Sequence, residues 1–162
     1  MGKKFNANEI FEMAEEIERN GAKFYRQAAQ DTIDEDTKQM LLGMADMEDG
    51  HLKTFQEMRK QLSRREKGWT IFDPDNQSAL YLQAMADAHG YEGKITPTKA
   101  LIGNETPKKI IEIALNAEYE SVVFYFGLKN FVSEKAGKDK VEAIIMEELS
   151  HITTLLNKLK SL

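Results

Sequence analysis

The chain has 162 residues, 41% of them apolar and 30% charged, with a formal net charge of −5 and no cysteine. That length suits one domain (1–162) with a real hydrophobic core, and the mild acidity gives no electrostatic case for nucleic acid or an anionic membrane. The missing cysteines exclude disulfides, thiolate zinc sites, iron–sulfur clusters and thiol nucleophiles.

The opening residues, Met1 to Glu9, lack the apolar run of a secretory signal, and Asn6 breaks the myristoylation pattern. No apolar stretch approaches the roughly 20 residues that span a bilayer. The expectation is a soluble cytoplasmic protein with no membrane partner.

Apolar residues at helical spacing predict a first helix from about Asn8 to Asp31, through Ile10, Met13, Ile17, Gly21, Phe24 and Ala28. Asn8 is its expected N-cap, with Glu9 and Glu12 favouring the positive end of the dipole. A polar break at Asp31–Asp36 reads as a tight turn. A second helix is predicted from about Asp34 to Arg64, through Leu41, Met44, His51, Phe55 and Met58. Its basic end, Arg59-Lys60 and Arg64 to Lys67, suits the helix dipole and needs no nucleic acid.

Residues 65–105 contain three glycines and two prolines before Gly103, which divide the segment into loops around one short helix from about Asn76 to His89. Trp69 in this crossover is expected to plug a bundle end or meet another subunit. A third helix begins at Thr106-Pro107, cap and first turn, and runs through Ile110, Ala114, Glu118, Val122 and Tyr125 to about Phe131. After a turn at Ser133–Lys138, a fourth runs from about Asp139 to Lys160 through Val141, Ile144, Glu148, Ile152 and Leu155. Two helix hairpins, 8–64 and 106–160, joined by a long crossover predict an all-α four-helix bundle.

The two hairpins repeat each other at an offset of one hundred residues. Glu18 and Tyr25 precede Glu48-Asp49-Gly50-His51; Glu118 and Tyr125 precede Glu148-Leu149-Ser150-His151. A lone Glu-x2-His on a helix is ordinary surface decoration, but here two of the three histidines occupy equivalent places in a repeat. Residues equally far from an antiparallel turn stand level. The midpoint of 18 and 48 is 33 and that of 118 and 148 is 133, both inside predicted turns. Each level lies about 22 Å from its hairpin. Within a helix, residues three or seven apart share a face.

Four glutamates and two histidines therefore converge in the bundle interior, with both tyrosines one layer away. Four ionised carboxylates in a low-dielectric core repel and would sooner protonate than stay charged. Two divalent cations neutralise them, and oxygen-rich ligands with one imidazole per metal suit iron or manganese better than zinc or magnesium. Iron suits redox chemistry.

These motifs resemble the ferritin-like di-iron carboxylate superfamily, and within it the rubrerythrin group, over nearly the whole chain. The resemblance implies a ferritin-like bundle holding two iron ions, with manganese as the alternative. It implies Glu18, Glu48, His51, Glu118, Glu148 and His151 as ligands, with Glu48 and Glu148 bridging. Tyr25 and Tyr125 would hydrogen-bond or protonate groups at the site. Rubrerythrins usually carry a rubredoxin domain with a four-cysteine iron, which this sequence lacks, so electrons would come from a separate rubredoxin-like donor. They also usually carry a further Glu three residues after the helix-three ligand, where this chain has Ser121.

The leading expectation is a di-iron oxidoreductase that reduces peroxide or dioxygen. The alternatives are a ferroxidase or iron-handling protein, and a non-catalytic helical interaction module. A homo-oligomer, with a dimer favoured, follows from the resemblance. Beside the ligands, Glu12, Glu15, Glu16 and Glu112 suit a solvated face, Glu15 being close enough to approach Glu18. Glu147 is expected to point about 100° away from Glu148. His89 reads as a helix-end residue, Tyr119 and Phe124 as packing residues, and the methionines, Met47 and Met146 among them, as core fillers. Gly21 could leave space for dioxygen or peroxide or simply let helices approach.

Overall fold

The computed structural model describes residues 7–62, 80, 105–130, 132, 134 and 137–162. Four long helices make up almost all of them: α1 (Ala7–Asp31), α2 (Glu35–Gln61), α3 (Pro107–Lys129) and α4 (Lys138–Ser161). No strand occurs among the described residues. Of the expected short helix at 76–89 only Leu80 is described, in helical backbone; Trp69 and His89 lie outside the described residues.

The ends of the helices follow from local chemistry. Asp34 caps α2 by accepting from the Thr37 amide at 2.9 Å, with Glu35 and Asp36 in the first turn and Arg59 and Lys60 in the last. Thr106 caps α3 by accepting from the Lys109 amide at 3.2 Å, and Pro107 occupies the first helical position, where no amide hydrogen is needed. α4 starts from Gly137 at φ +101°, in left-handed backbone, and a β-carbon there would also meet Met58 Cε at 3.1 Å.

The expected Asn8 cap is not what the structure shows. α1 already begins at Ala7, so Asn8 stands inside the first turn. Its side chain donates to Glu12 at 3.1 Å and accepts from Arg59 Nε at 2.9 Å. Arg59 also donates to Glu12 and, at 3.1 Å, to Glu15. This guanidinium thus fastens the end of α2 to the start of α1. It explains why Glu15 is buried rather than solvated, and why it answers to Arg59 instead of approaching Glu18.

Each hairpin packs along its length, and the two meet through α1 against α3 and α2 against α4. All neighbours run antiparallel, as the level pairs Arg59–Asn8, Tyr25–Glu118 and His51–Glu147 require. Two apolar clusters fill the interior. One joins Phe11, Ile17, Phe55, Met58, Tyr125, Leu128 and Val141. The other joins Tyr25, Ala28, Leu41, Ile111, Ala114 and Leu155 toward the opposite end. The polar layer lies between them, so hydrocarbon on both sides fixes the height at which the six charged side chains meet.

Phe124 packs in this core, but Tyr119 is half exposed, and so are Val123 and Phe126 on the same helix. Met146 is also exposed instead of filling the core. Among the described residues no helix is long and apolar enough to cross a membrane.

Leu41 is fully buried, whereas Ile33 in the first turn is fully exposed. Leu41→Ala is expected to destabilise the fold by roughly 2–5 kcal/mol in urea denaturation, and Ile33→Ala to change it by less than about 0.5 kcal/mol.

Candidate metal centre

α1 contributes Glu18, α2 Glu48 and His51, α3 Glu118, and α4 Glu148 and His151. All six are buried. They form two overlapping groups: Glu18, Glu48, His51 and Glu148 in one, and Glu48, Glu118, Glu148 and His151 in the other. Within each group one potential ligand atom per residue lies within 4.8 Å of the others. Glu48 and Glu148 belong to both.

The imidazoles stack at 5.9 Å between centroids, 18° from parallel, and turn the same nitrogen inward. His51 Nδ1 lies 3.3 Å from Glu18, 3.1 Å from Glu48 and 3.1 Å from Glu148. His151 Nδ1 lies 3.3 Å from Glu118, 3.2 Å from Glu148 and 3.9 Å from Glu48.

Crowding carboxyl groups in this interior shifts their proton affinities. Burial, then the charge of Glu48, raises Glu18 well above the ordinary carboxylate range. Burial, then the hydrogen bond and charge of Glu148, pushes Glu118 up to about 8. Burial and the Glu48 charge push Glu148 the same way, yet its contacts with Glu118 and both imidazoles hold it below that range. Burial opposes a charged His151, but its contacts with Glu118 and Glu148 prevail and raise it to about 10. His51 is raised for the same reason, against its burial, by Glu148, Glu18 and Glu48.

Without a cation, the protons on the imidazoles and some of the carboxyls must do the neutralising. That compensation is incomplete. Among the described residues six buried side-chain polar atoms lack an aligned hydrogen bond, and four of them lie in this layer: Glu118 Oε2, both carboxylate oxygens of Glu148 and His151 Nδ1. Buried polar atoms are rarely left so. All four belong to the candidate ligands, and cations placed among them would supply the missing partners. The residues fit two divalent ions.

The two phenols complete the layer in a crossed pattern. Tyr25 on α1 donates to Glu118 on α3, and Tyr125 on α3 donates to Glu18 on α1. Burial, then the charge of Glu118, raises Tyr25 above its ordinary value, so its hydroxyl keeps the proton it donates. The level arrangement in the sequence predicts phenols bonded to buried carboxylates; that each reaches the opposite hairpin emerges only from the packing.

Two further residues touch the site. Glu147 Oε2 lies 2.6 Å from His51 Nε2, and Met47 Sδ lies 3.3 Å from His151 Nε2. This corrects the expectation that Glu147 points away and that Met47 is a filler. Its backbone direction does diverge from Glu148, but the side chain is long enough to reach the outer edge of the facing ring. The signal was present in the repeat: 47 and 147 are equivalent positions immediately before the Glu-x2-His units.

Gly21 and Ser121, also equivalent, line a cavity of about 10 Å³ beside Glu18, Tyr25, Glu48 and Glu118. That is about the space one water molecule requires.

A helical bundle with a buried layer of four glutamates and two histidines, two of the glutamates common to both halves, has the fold and candidate metal layer of a ferritin-like protein. The rubrerythrin family model matches residues 9–159, and the chain belongs to that family. Its fold is similar to the 2.30 Å crystal structure of a candidate ferritin-like diiron-carboxylate protein from Thermotoga maritima. The TM-score is 0.69 at 24% identity, covering 99% of this chain and 98% of that one. No curated protein matches the sequence.

Two measurements on the metal-free protein follow. Glu118 and His151 bind protons more tightly folded than unfolded, against ordinary values of 4.5 and 6.5. The Glu118 contribution to stability is full below 4.5 and lost as pH rises through about 8; that of His151 is full below 6.5 and lost through about 10. The thermal midpoint of the metal-free chain should therefore fall between about pH 5.5 and about pH 8.5. Fe(II) or Mn(II) at a hundredfold excess over its dissociation constant should stabilise the fold by about 2.7 kcal/mol, and chelation should reverse it.

Proposed function

We propose that this chain is a di-iron oxidoreductase that reduces peroxide or dioxygen, with Glu18, Glu48, His51, Glu118, Glu148 and His151 as the metal ligands. The observation that carries this reading is the buried layer of four glutamates and two histidines, with a small cavity walled in part by Gly21 and Ser121 beside it. For peroxide the balance is H2O2 + 2 H⁺ + 2 e⁻ → 2 H2O, with the O–O bond broken and both oxygens leaving as water. The irons, when bound, supply redox equivalents and Lewis acidity at that bond.

The chain's own residues do the rest. Glu48 and Glu148, common to both halves, would hold the two cations and keep compensating charge beside them. Tyr25 and Tyr125 fix the orientation of Glu118 and Glu18 through their hydroxyl hydrogens. Tyr25 also lines the cavity, where its hydroxyl can hold a proton close to the oxidant. The apolar clusters above and below keep bulk water from the layer. Electrons come from a donor outside these 162 residues, of rubredoxin-like type. A homodimer belongs to the same reading, supported by the exposed Tyr119, Val123 and Phe126 at one-turn spacing on α3.

A second reading, iron oxidation and handling, is favoured by Ser121. It lines the cavity at the place where rubrerythrins usually present a further glutamate.

Metal analysis should give close to two irons per chain. With a reduced donor, added peroxide should disappear rapidly, and Glu118→Ala should abolish that loss. Slow stoichiometric Fe(II) oxidation with oxide accumulation would instead support the second reading.

Gly21 allows a sharper test. A β-carbon there would meet Glu48 Cγ at 3.4 Å, ordinary contact, while occupying the wall of the cavity. Gly21→Ala should therefore stabilise the helix by roughly 0.5–1 kcal/mol and leave the iron content unchanged. Peroxide turnover should still drop at least about tenfold, the effect expected when reacting atoms are displaced from their working geometry. Unchanged turnover would mean that the oxidant does not use this cavity.

A further inference from the structure

The bundle is nearly two-fold symmetric at its polar layer, and behind the two imidazoles that symmetry fails. Each histidine turns Nδ1 toward the carboxylates and Nε2 outward. On the outer side of His51 stands the Glu147 carboxylate, at 2.6 Å. On the outer side of His151, at the equivalent place, stands the Met47 thioether, at 3.3 Å. The contacts are reciprocal, since α2 and α4 run antiparallel and each helix covers the other's imidazole with the residue just before its own glutamate.

With Nδ1 given to a cation, the imidazole proton resides on Nε2. His51 then donates it to a charged carboxylate, which orients the ring and makes the inward nitrogen a stronger donor. His151 donates to sulfur, a weak acceptor that does neither well.

From this we infer that the two metal positions are inequivalent: the one held by His51, supported by Glu147, binds its cation more tightly and fills first, and the one held by His151, backed by Met47, fills second. Glu147 is a positioning residue, acting through His51. The inference rests on the di-metal reading above and concerns an order that reading leaves open.

Both side chains are reachable without disturbing the core, Glu147 being 52% exposed and Met47 39%. The full chain, stripped of metal and kept anaerobic, is titrated with Co(II) alone, followed by calorimetry and visible absorption. Imidazole N–H signals shifted by the paramagnetic ion identify which ring is occupied. Two steps should appear, His51 first. Glu147→Met should weaken the first step about 10–100-fold, the usual cost of losing such a partner, and draw the two together. Met47→Glu should strengthen the second step instead. The double exchange, Glu147→Met with Met47→Glu, should restore the separation with His151 filling first.

Thermal midpoints of the metal-free variants, expected to stay near that of the natural sequence, separate lost affinity from lost fold. Indistinguishable steps in the unsubstituted protein overturn the inference, as does a first step that Glu147→Met does not move. Two cobalt ions bound alike leave the di-metal reading standing; no bound cobalt removes both.

Discussion

Four glutamates in the interior of a small bundle are the constraint that everything else in this molecule answers. Their mutual repulsion and lost hydration oppose folding at that level, and only opposite charge at the same level can offset them. Protons on the two histidines provide some of it, as the raised affinity of His151 shows. Four buried polar atoms of this layer are still left without an aligned hydrogen bond. The apolar clusters on either side hold the helices in register, so the layer is confined rather than free to turn outward. Strong hydrocarbon packing and an electrostatically frustrated middle are complementary parts of one design.

The halves of the molecule are equivalent in their inward atoms and different in what stands behind them. Glu18 and Glu118, Glu48 and Glu148, His51 and His151 make matching groups. The cavity wall has Gly21 on one side and Ser121 on the other, and the imidazoles lean on a carboxylate and a thioether.

Much of this was legible in the sequence, because helix geometry turns spacing into direction. The Glu-x6-Tyr and Glu-x2-His intervals, with their midpoints in the turns, were enough to bring six side chains to one height. Helix limits were legible where a capping residue marks them, as at Asp34 and Thr106, and not at Asn8, whose side chain serves Arg59 instead. Contacts that depend on side-chain reach were not legible. A helical wheel places Glu147 by its backbone direction, yet its carboxylate reaches the neighbouring helix. The pairing of Glu15 with Arg59 likewise joins residues 44 apart on two helices, which no periodicity within either helix encodes.

The crossed phenols tie the halves together in a further way. Tyr25 meets Glu118 while Tyr125 meets Glu18, so the seven-residue interval on α1 is gauged against the same interval on α3, running the other way. Inserting one residue between Glu18 and Tyr25 would swing the phenol by about 100° and shift it by about 1.5 Å, while its counterpart stayed put. Both contacts cannot survive a change in only one of the two lengths. The paired intervals act as a ruler, so this stretch of the protein can accept exchanged side chains but not a longer or shorter α1 alone.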